Sequence, residues 1–442
     1  ERLALNESPM SWTTTLVIAH APSGSPLELR SALVTEGRRC LTWAIGSEPP
    51  AGMKDADVVI VMAGALSGMS DDKAPFPRAL IGRATILALS ADVSRWADAV
   101  LHPQVSIKPI VDRVGALIRL RTLEWECEQR RKTFKALGSD KVDDRAPKPP
   151  ATMRVLHIGG PNAEFAPLQQ ALVRHHIELR PALRPSLALD EIENGLVDAV
   201  LLDASVSPET VRELAIILRR NTDLALAPVL VLDAKTPHVT YSRAPSLISD
   251  VIRTRDEPEL IVARLKQLVT ETRRRRAAIE LLKRARTRDR YDARTGLASF
   301  ALIDAHLRTH LKSFGQTGRS LSAGLMKIVP AGGPLNGSDA QALAEQVGSL
   351  IARLIRAEDM AALTSLTSFA FLFPATLEIS AQAALKRISA VLRATRFHSP
   401  RIVDGIAVDV NWTALQPRPD QTGAELWDVG DADHVMGGGN GV

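Results

Sequence analysis

Aromatic residues make up only 4% of the 442-residue chain, too few for the stacking platforms that hold single-stranded nucleic acid. Cysteine occurs twice, as Cys40 and Cys127. That excludes a disulfide framework or a thiolate metal site, and it fits a reducing cytoplasm. No run reaches the roughly 18 apolar residues of a membrane helix. The opening stretch Glu1 to Pro9 is polar instead of basic and apolar, so a soluble cytoplasmic protein without signal peptide or integral membrane segment is expected. The ten histidines are read as lacking metal-ligand spacing, and the adjacent His175 and His176 lie in helical text where neighbours do not share a face. No metal or cofactor is expected. The formal net charge of +5 suits anionic ligands without demanding nucleic acid, and none is expected.

The length implies two to four domains at about 100–200 residues each. Two stretches follow one plan. In the first, apolar runs at Leu16–Ala19, Asp57–Val61, Thr85–Leu89 and Val105–Ile107 alternate with helical text, and a helix starts near Pro109. In the second, the runs are Arg154–Ile158, Ala199–Asp203 and Pro228–Leu232, with a helix from Pro258. Short buried runs alternating with helices indicate a parallel sheet in a doubly wound α/β domain. The expected organisation is a first domain at 11–137 and a proline-containing linker at 138–151. A second domain at 152–272 and a charged helical stalk at 273–290 follow. The chain then has an α+β domain at 291–417 and a flexible, glycine-rich tail at 430–442. The basic stretch Arg273 to Arg276, continued by Lys283, Arg284, Arg286, Arg288 and Arg290, has three readings: an anionic surface, supplementary ligand contacts, or a solvated helix face, the last being favoured.

The two repeats resemble the flavodoxin-like receiver domains of response regulators. That family needs an acid pair after the first strand, an acceptor Asp ending the third, and a Lys and a hydroxyl near the phosphoryl group. A metal and the Lys then offset anion repulsion. In the first copy Met62 stands at the acceptor position and Ala19-His20-Ala21 replaces the acid pair, although Ser90 and Lys108 match. In the second, Asp203 is at the acceptor position, but the acids have become Gly159-Gly160 and the lysine position reads Arg253-Thr254-Arg255. Asp203 is a possible phosphoacceptor, though a strand-end cap is the simpler reading. Both repeats are better suited to docking and homodimerisation.

The third domain resembles the GGDEF family of diguanylate cyclases. Asp292-Ala293-Arg294-Thr295-Gly296-Leu297 matches its entry signature at all but one fixed position. The order receiver, receiver, GGDEF resembles the PleD type. The signature hairpin reads Ser365-Leu366-Thr367-Ser368-Phe369, and Lys327 and Val329 stand where the strand before it carries metal-binding acids. Phosphodiester synthesis from two GTP molecules needs metal-organised triphosphates, so catalysis is not expected and no catalytic residue is assigned. What remains of the family's pattern is the product-inhibition motif Arg-x-x-Asp, Arg356-Ala357-Glu358-Asp359, five residues before the hairpin, with Arg387 on the next helix.

The resemblance implies cyclic di-GMP as ligand. Arg356 would read and stack on guanine, Asp359 would accept from the guanine N1 and N2 edge, and Arg387 would hold phosphate or guanine. It further implies a non-catalytic effector and adaptor for protein partners in cell-cycle control and regulated proteolysis, with recruitment to the cell pole. Alternatives are a response regulator switched through Asp203, or a weak GTP-binding protein.

Overall fold

The computed structural model describes residues 14–66, 74–90, 96–101, 107–138, 152–159, 165–182, 187–188, 197–203, 208–221, 224–233, 248–253, 258–286, 289–317, 319–399, 402–418 and 420–428. The expected linker beyond Gly138, the tail at 430–442, Gly160, Thr254 and Arg255 lie outside the described residues. The backbone forms two compact units. One holds Thr15–Arg121 and Pro147–Ala277; the other holds Thr122–Ala146 and Ala278–Val442. Residues 122–138 thus group with the C-terminal domain, not with the sheet that precedes them in sequence.

The first unit contains two five-stranded parallel sheets. Strands β1 (Thr15–His20), β2 (Arg39–Ala44), β3 (Val58–Val61), β4 (Thr85–Leu89) and β5 (Ala99–Leu101) lie in the order 2-1-3-4-5. Strands β6 (Met153–Ile158), β7 (Ile177–Ala182), β8 (Ala199–Asp203), β9 (Val229–Asp233) and β10 (Asp250–Arg253) repeat that order. Both sheets are the flavodoxin-like α/β fold. The central strands are apolar on both faces, as a helix-covered parallel sheet requires. Leu16 and Ile18 enter one core, Val17 and Ala19 the other. A shared detail supports the repeat. Asp57 accepts from the Thr15 amide at 3.2 Å, and Asp198 accepts from the Arg154 amide at 3.0 Å, so in each copy an acid before the third strand fastens the start of the first.

Helices α1 (Leu27–Thr35), α2 (Ile107–Ala136), α3 (Ala166–Arg174), α4 (Pro208–Arg220) and α5 (Pro258–Arg284) surround the sheets. Within this unit α2 and α5 are joined by Arg113, whose guanidinium meets the Glu271 carboxylate at 2.6 and 3.3 Å. Three expectations need correction. Among the described residues the last strand of the first sheet is Ala99–Leu101; of the expected Val105–Ile107 strand, Val105 and Ser106 lie outside the described residues and Ile107 begins α2. Lys108 is therefore a first-turn helix residue, exposed and paired with Asp112 at 2.8 Å. The stalk helix ends at Arg284 and not near Asp289. Strands β2, β7 and β10 escaped the sequence reading because their edge positions mix polar and apolar residues; β2 buries only Cys40 and Trp43.

The second unit is an α+β domain. An antiparallel sheet runs in the order β12-β13-β11-β16, formed by β11 (Leu321–Pro330), β12 (Met360–Ser365), β13 (Ser368–Pro374) and β16 (Val408–Leu415). Strands β14 (Phe397–Ser399) and β15 (Ile402–Ile406) make a separate hairpin. Helices α6 (Phe300–Thr317), α7 (Gly337–Leu354), α8 (Glu378–Ala394) and α9 (Gly423–Asp428) complete it. Period-two alternation divides β13 between two cores. Phe369, Phe371 and Phe373 pack with Leu343, Val347 and Ile351 of α7 and with Leu385 and Ile388 of α8. Ala370 and Leu372 face Leu302 and Leu307 of α6 and Phe134 from the end of α2. Burying each phenylalanine contributes about 1.5–3 kcal/mol. Gly324 lets α8 approach: a Cβ there would lie 2.8 Å from Leu385 Cδ1.

Candidate ligand-binding site

The entry signature folds into a tight turn ahead of α6. Asp292 accepts from the Arg294 amide at 3.0 Å and from the Thr295 hydroxyl at 2.9 Å. Gly296 adopts φ +70, and its amide donates to the Asp292 carbonyl at 2.7 Å. The turn seats on α7 at Gly348, where a Cβ would meet Thr295 Cγ2 at 2.8 Å. The motif is thus a structural joint, its residue types set by self-bonding and close helix approach.

Helix α7 leads into the Arg-x-x-Asp turn. Arg356 and Arg387 are exposed, and Arg387 Nη2 donates to the Leu354 carbonyl at 3.3 Å. This bond ties Arg387 of α8 to the end of α7, two residues before Arg356 in the turn. Asp359 behaves differently. It is buried and accepts from the Arg356 amide at 3.0 Å. Burial, and next the neighbouring Glu358, push its carboxyl up to about 7. Only Oδ2 is used in that bond, so a guanine-edge role would need the buried Oδ1 to become accessible and the carboxyl to ionise.

The sequence reading did not pick out Arg130. Its buried guanidinium, on the C-terminal half of α2, donates through Nη2 to the Ala357, Glu358 and Asp359 carbonyls at 3.1, 3.0 and 3.0 Å. Its Nε bonds Glu126 Oε1 at 2.7 Å. One side chain thus pins all three carbonyls of the turn that presents Arg356. An Arg among other charged residues of a long helix offers no sequence signal for this role. His306 and His310 were missed too, although their i, i+4 spacing on α6 puts both on one face. They converge on Glu126 (His306 Nε2 at 2.8 Å, His310 Nε2 at 3.2 Å) with all three side chains buried.

At the hairpin, Lys327 pairs in register with Ser368, and both Lys327 and Val329 are exposed. Ser365 closes the turn by accepting from the Thr367 amide at 3.3 Å. Among the described residues, the acid opposite Val329 in register is Asp409, whose carboxylate is tied to Arg393 Nε at 2.8 Å.

In the first unit Asp203 ends β8 with its side chain buried. Gly159 is obligatory beside it, because a Cβ there would lie 2.4 Å from Asp203 Cβ. His157 stands over this strand end, stacked on Phe165 at 3.9 Å; burial lowers its basicity while Asp203 raises it. The basic stretch that starts in α5 makes intramolecular ties and is not simply solvated: Arg273 grips Asp198 at 2.9 and 3.0 Å, Arg284 pairs with Glu280, and beyond the helix Arg290 donates to the Leu137 carbonyl. Among the described residues, no helix is long and apolar enough to cross a membrane.

No protein-family model and no curated protein matches the chain. Parts of it are similar to solved structures. The GGDEF domain of DgcB from Caulobacter crescentus, in complex with c-di-GMP, is 17% identical with a TM-score of 0.28, over 33% of this chain and 84% of that one. The FimX GGDEF domain from Pseudomonas aeruginosa is 18% identical with a TM-score of 0.25, over 32% and 88%. The chemotaxis response regulator CheY4 of Vibrio cholerae is 16% identical with a TM-score of 0.24, over 27% of this chain and 99% of that chain.

Proposed function

We propose that this chain is a cyclic di-GMP signalling protein whose C-terminal domain binds the dinucleotide without synthesising it. The observation that supports the reading is that Arg387 is exposed and bonded to the Leu354 carbonyl, at the helix end that leads to the exposed Arg356. Two exposed guanidinium groups on this helix end and the adjoining α8 suit a doubly anionic ligand with two guanine faces. Each can bond phosphate or the guanine O6/N7 edge and stack on a base. Arg130, by fixing the turn backbone, lowers the entropy lost when Arg356 is ordered on ligand.

The lack of synthesis is argued from the hairpin. Lys327, Val329 and the 365–368 turn offer no carboxylate to organise a triphosphate-bound metal, and the exposed Lys327 ammonium would oppose one. In this reading the flavodoxin-like sheets are docking and homodimerisation modules rather than phosphorylation switches, consistent with the buried Asp203. The pattern of losses most resembles the effector PopA, which suggests an adaptor role in cell-cycle control and regulated proteolysis, with recruitment to the cell pole.

The test is calorimetric titration of the full chain with cyclic di-GMP, on wild type and on Arg356→Gly. Saturable binding in wild type and its loss in the variant are expected. Equal binding by both removes the site assignment, and no binding by either removes the function. Incubation with GTP and Mg²⁺ should yield no dinucleotide; its formation would overturn the non-catalytic reading.

A further inference from the structure

We propose that Glu126, His306 and His310 form a binding site for one first-row divalent transition metal ion of the zinc class, inside the C-terminal domain. The proposal does not depend on the nucleotide reading. The three side chains come from two helices: Glu126 from α2, His306 and His310 from successive turns of α6. All are buried. His306 Nε2 lies 2.8 Å from Glu126 Oε1, the two Nε2 atoms are 3.0 Å apart, and His310 Nε2 is 3.2 Å from Glu126 Oε2. Ligands about 2.0–2.1 Å from a shared metal, at angles between 90° and the tetrahedral value, stand about 2.9–3.4 Å from one another. The Nε2–Nε2 edge of 3.0 Å and the His310–Oε2 edge of 3.2 Å fall in that range, the three side chains offer ligand atoms within 4.8 Å of one another, and two imidazoles with one carboxylate are a donor set zinc accepts.

The hydrogen-bond arithmetic points the same way. Thr133 Oγ1 lies 2.8 Å from His306 Nδ1 and 3.0 Å from both the Gln129 carbonyl and the Thr309 hydroxyl. The Thr309 hydroxyl has the Ala305 carbonyl at 3.0 Å. With the Thr133 proton on the Gln129 carbonyl, Nδ1 is the donor to Thr133, and the neutral ring turns a lone pair from Nε2 toward a carboxylate and a second imidazole. Where His310 also turns its Nε2 lone pair inward, two lone pairs and a carboxylate at about 3 Å repel unless a cation lies among them. Glu126 Oε2 meanwhile is buried with His310 Nε2 at 3.2 Å beside it, a contact that does not have good hydrogen-bond geometry. Oε1 is held by Arg130 Nε, leaving Oε2 as the oxygen for the metal. Thr133 and Arg130 then serve as positioning residues that orient a ligand through its far atom. The arrangement without a metal has Thr133 donating to Nδ1 and both Nε2–H groups donating to Glu126.

The test separates the two. The full chain, stripped with a chelator, is titrated with Zn²⁺, and with Co²⁺ as a spectroscopic probe. One tightly held ion per chain is expected, with visible Co²⁺ absorption of low-coordinate type and a higher melting temperature. His310→Gln and Glu126→Gln should each lose at least roughly tenfold in affinity, and Thr133→Val should weaken binding about 10- to 100-fold while leaving all three ligands present. Wild-type protein that stays folded and takes up no stoichiometric Zn²⁺ at micromolar concentration overturns the proposal. So does uptake unchanged in both ligand variants. If those variants do not fold, the wild-type stoichiometry and Co²⁺ spectrum decide alone. Cyclic di-GMP affinity measured in parallel reports on the nucleotide site separately.

Discussion

Replacing Arg130 by methionine tests whether a single buried guanidinium holds the turn that carries Arg356. Methionine keeps most of the volume and removes the charge. Three backbone carbonyls lose their donor, and the Glu126 carboxylate loses a 2.7 Å partner. Removing one partner of a buried ion pair costs about 3–5 kcal/mol, because the other charge stays desolvated. For a domain of 150–250 residues that is a melting decrease of roughly 6–20 °C, at about 2–4 °C per kcal/mol. The readout that locates the effect is native-state hydrogen exchange over residues 356–374, where protection should fall at least roughly 100-fold. Adding Glu126→Gln should recover part of the loss by neutralising the stranded carboxylate. Exchange in Arg130→Met within threefold of wild type would refute the clamp, and with it the claim that the turn is pre-organised.

Arg356→Ala and Arg387→Ala should each weaken cyclic di-GMP binding by about 1.5–3 kcal/mol, the worth of a charge-assisted bond, read by calorimetry as a 10- to 150-fold rise in Kd with the fold intact. Asp359, raised from 3.8 to about 7 by burial, should make binding pH-dependent in the proposed site. Affinity should increase as pH rises from 6 to 8 in wild type and stay flat in Asp359→Asn. Stability runs oppositely: the contribution of the protonated carboxyl is complete below about 4 and is lost as pH rises through about 7, a slope that denaturation of Asp359→Asn should lack. Gly348→Ala forces a methyl to 2.8 Å from Thr295 Cγ2 and should cost about 1–3 kcal/mol in urea unfolding. Acetyl phosphate with Mg²⁺ should leave no stable phosphoryl group on Asp203, as mass measurement would show.

The apolar runs of β1, β3, β4, β6, β8 and β9 were legible in sequence because a strand covered on both faces must be apolar throughout. The order of the C-terminal domain could be read through the Phe369–Pro374 alternation, and the missing hairpin acids needed no coordinates, since an absent carboxylate is absent in any fold. The spacing from Arg356 to the hairpin likewise survives translation into structure.

Tertiary structure alone decided the rest. Edge strands β2, β7 and β10 carry mixed patterns because one side lacks a neighbour to demand uniform burial. Asp359 turned inward because its carboxylate closes the local turn on Arg356's amide, a choice that residue type leaves open. The Arg130 clamp and the meeting of Glu126 with His306 and His310 join residues some 180 to 230 positions apart in sequence. Periodicity reports which face of a helix is buried, not which distant helix lies against it. That depends on how α2 and α6 pack in the C-terminal domain, where desolvation makes each polar group answer to the few partners within reach.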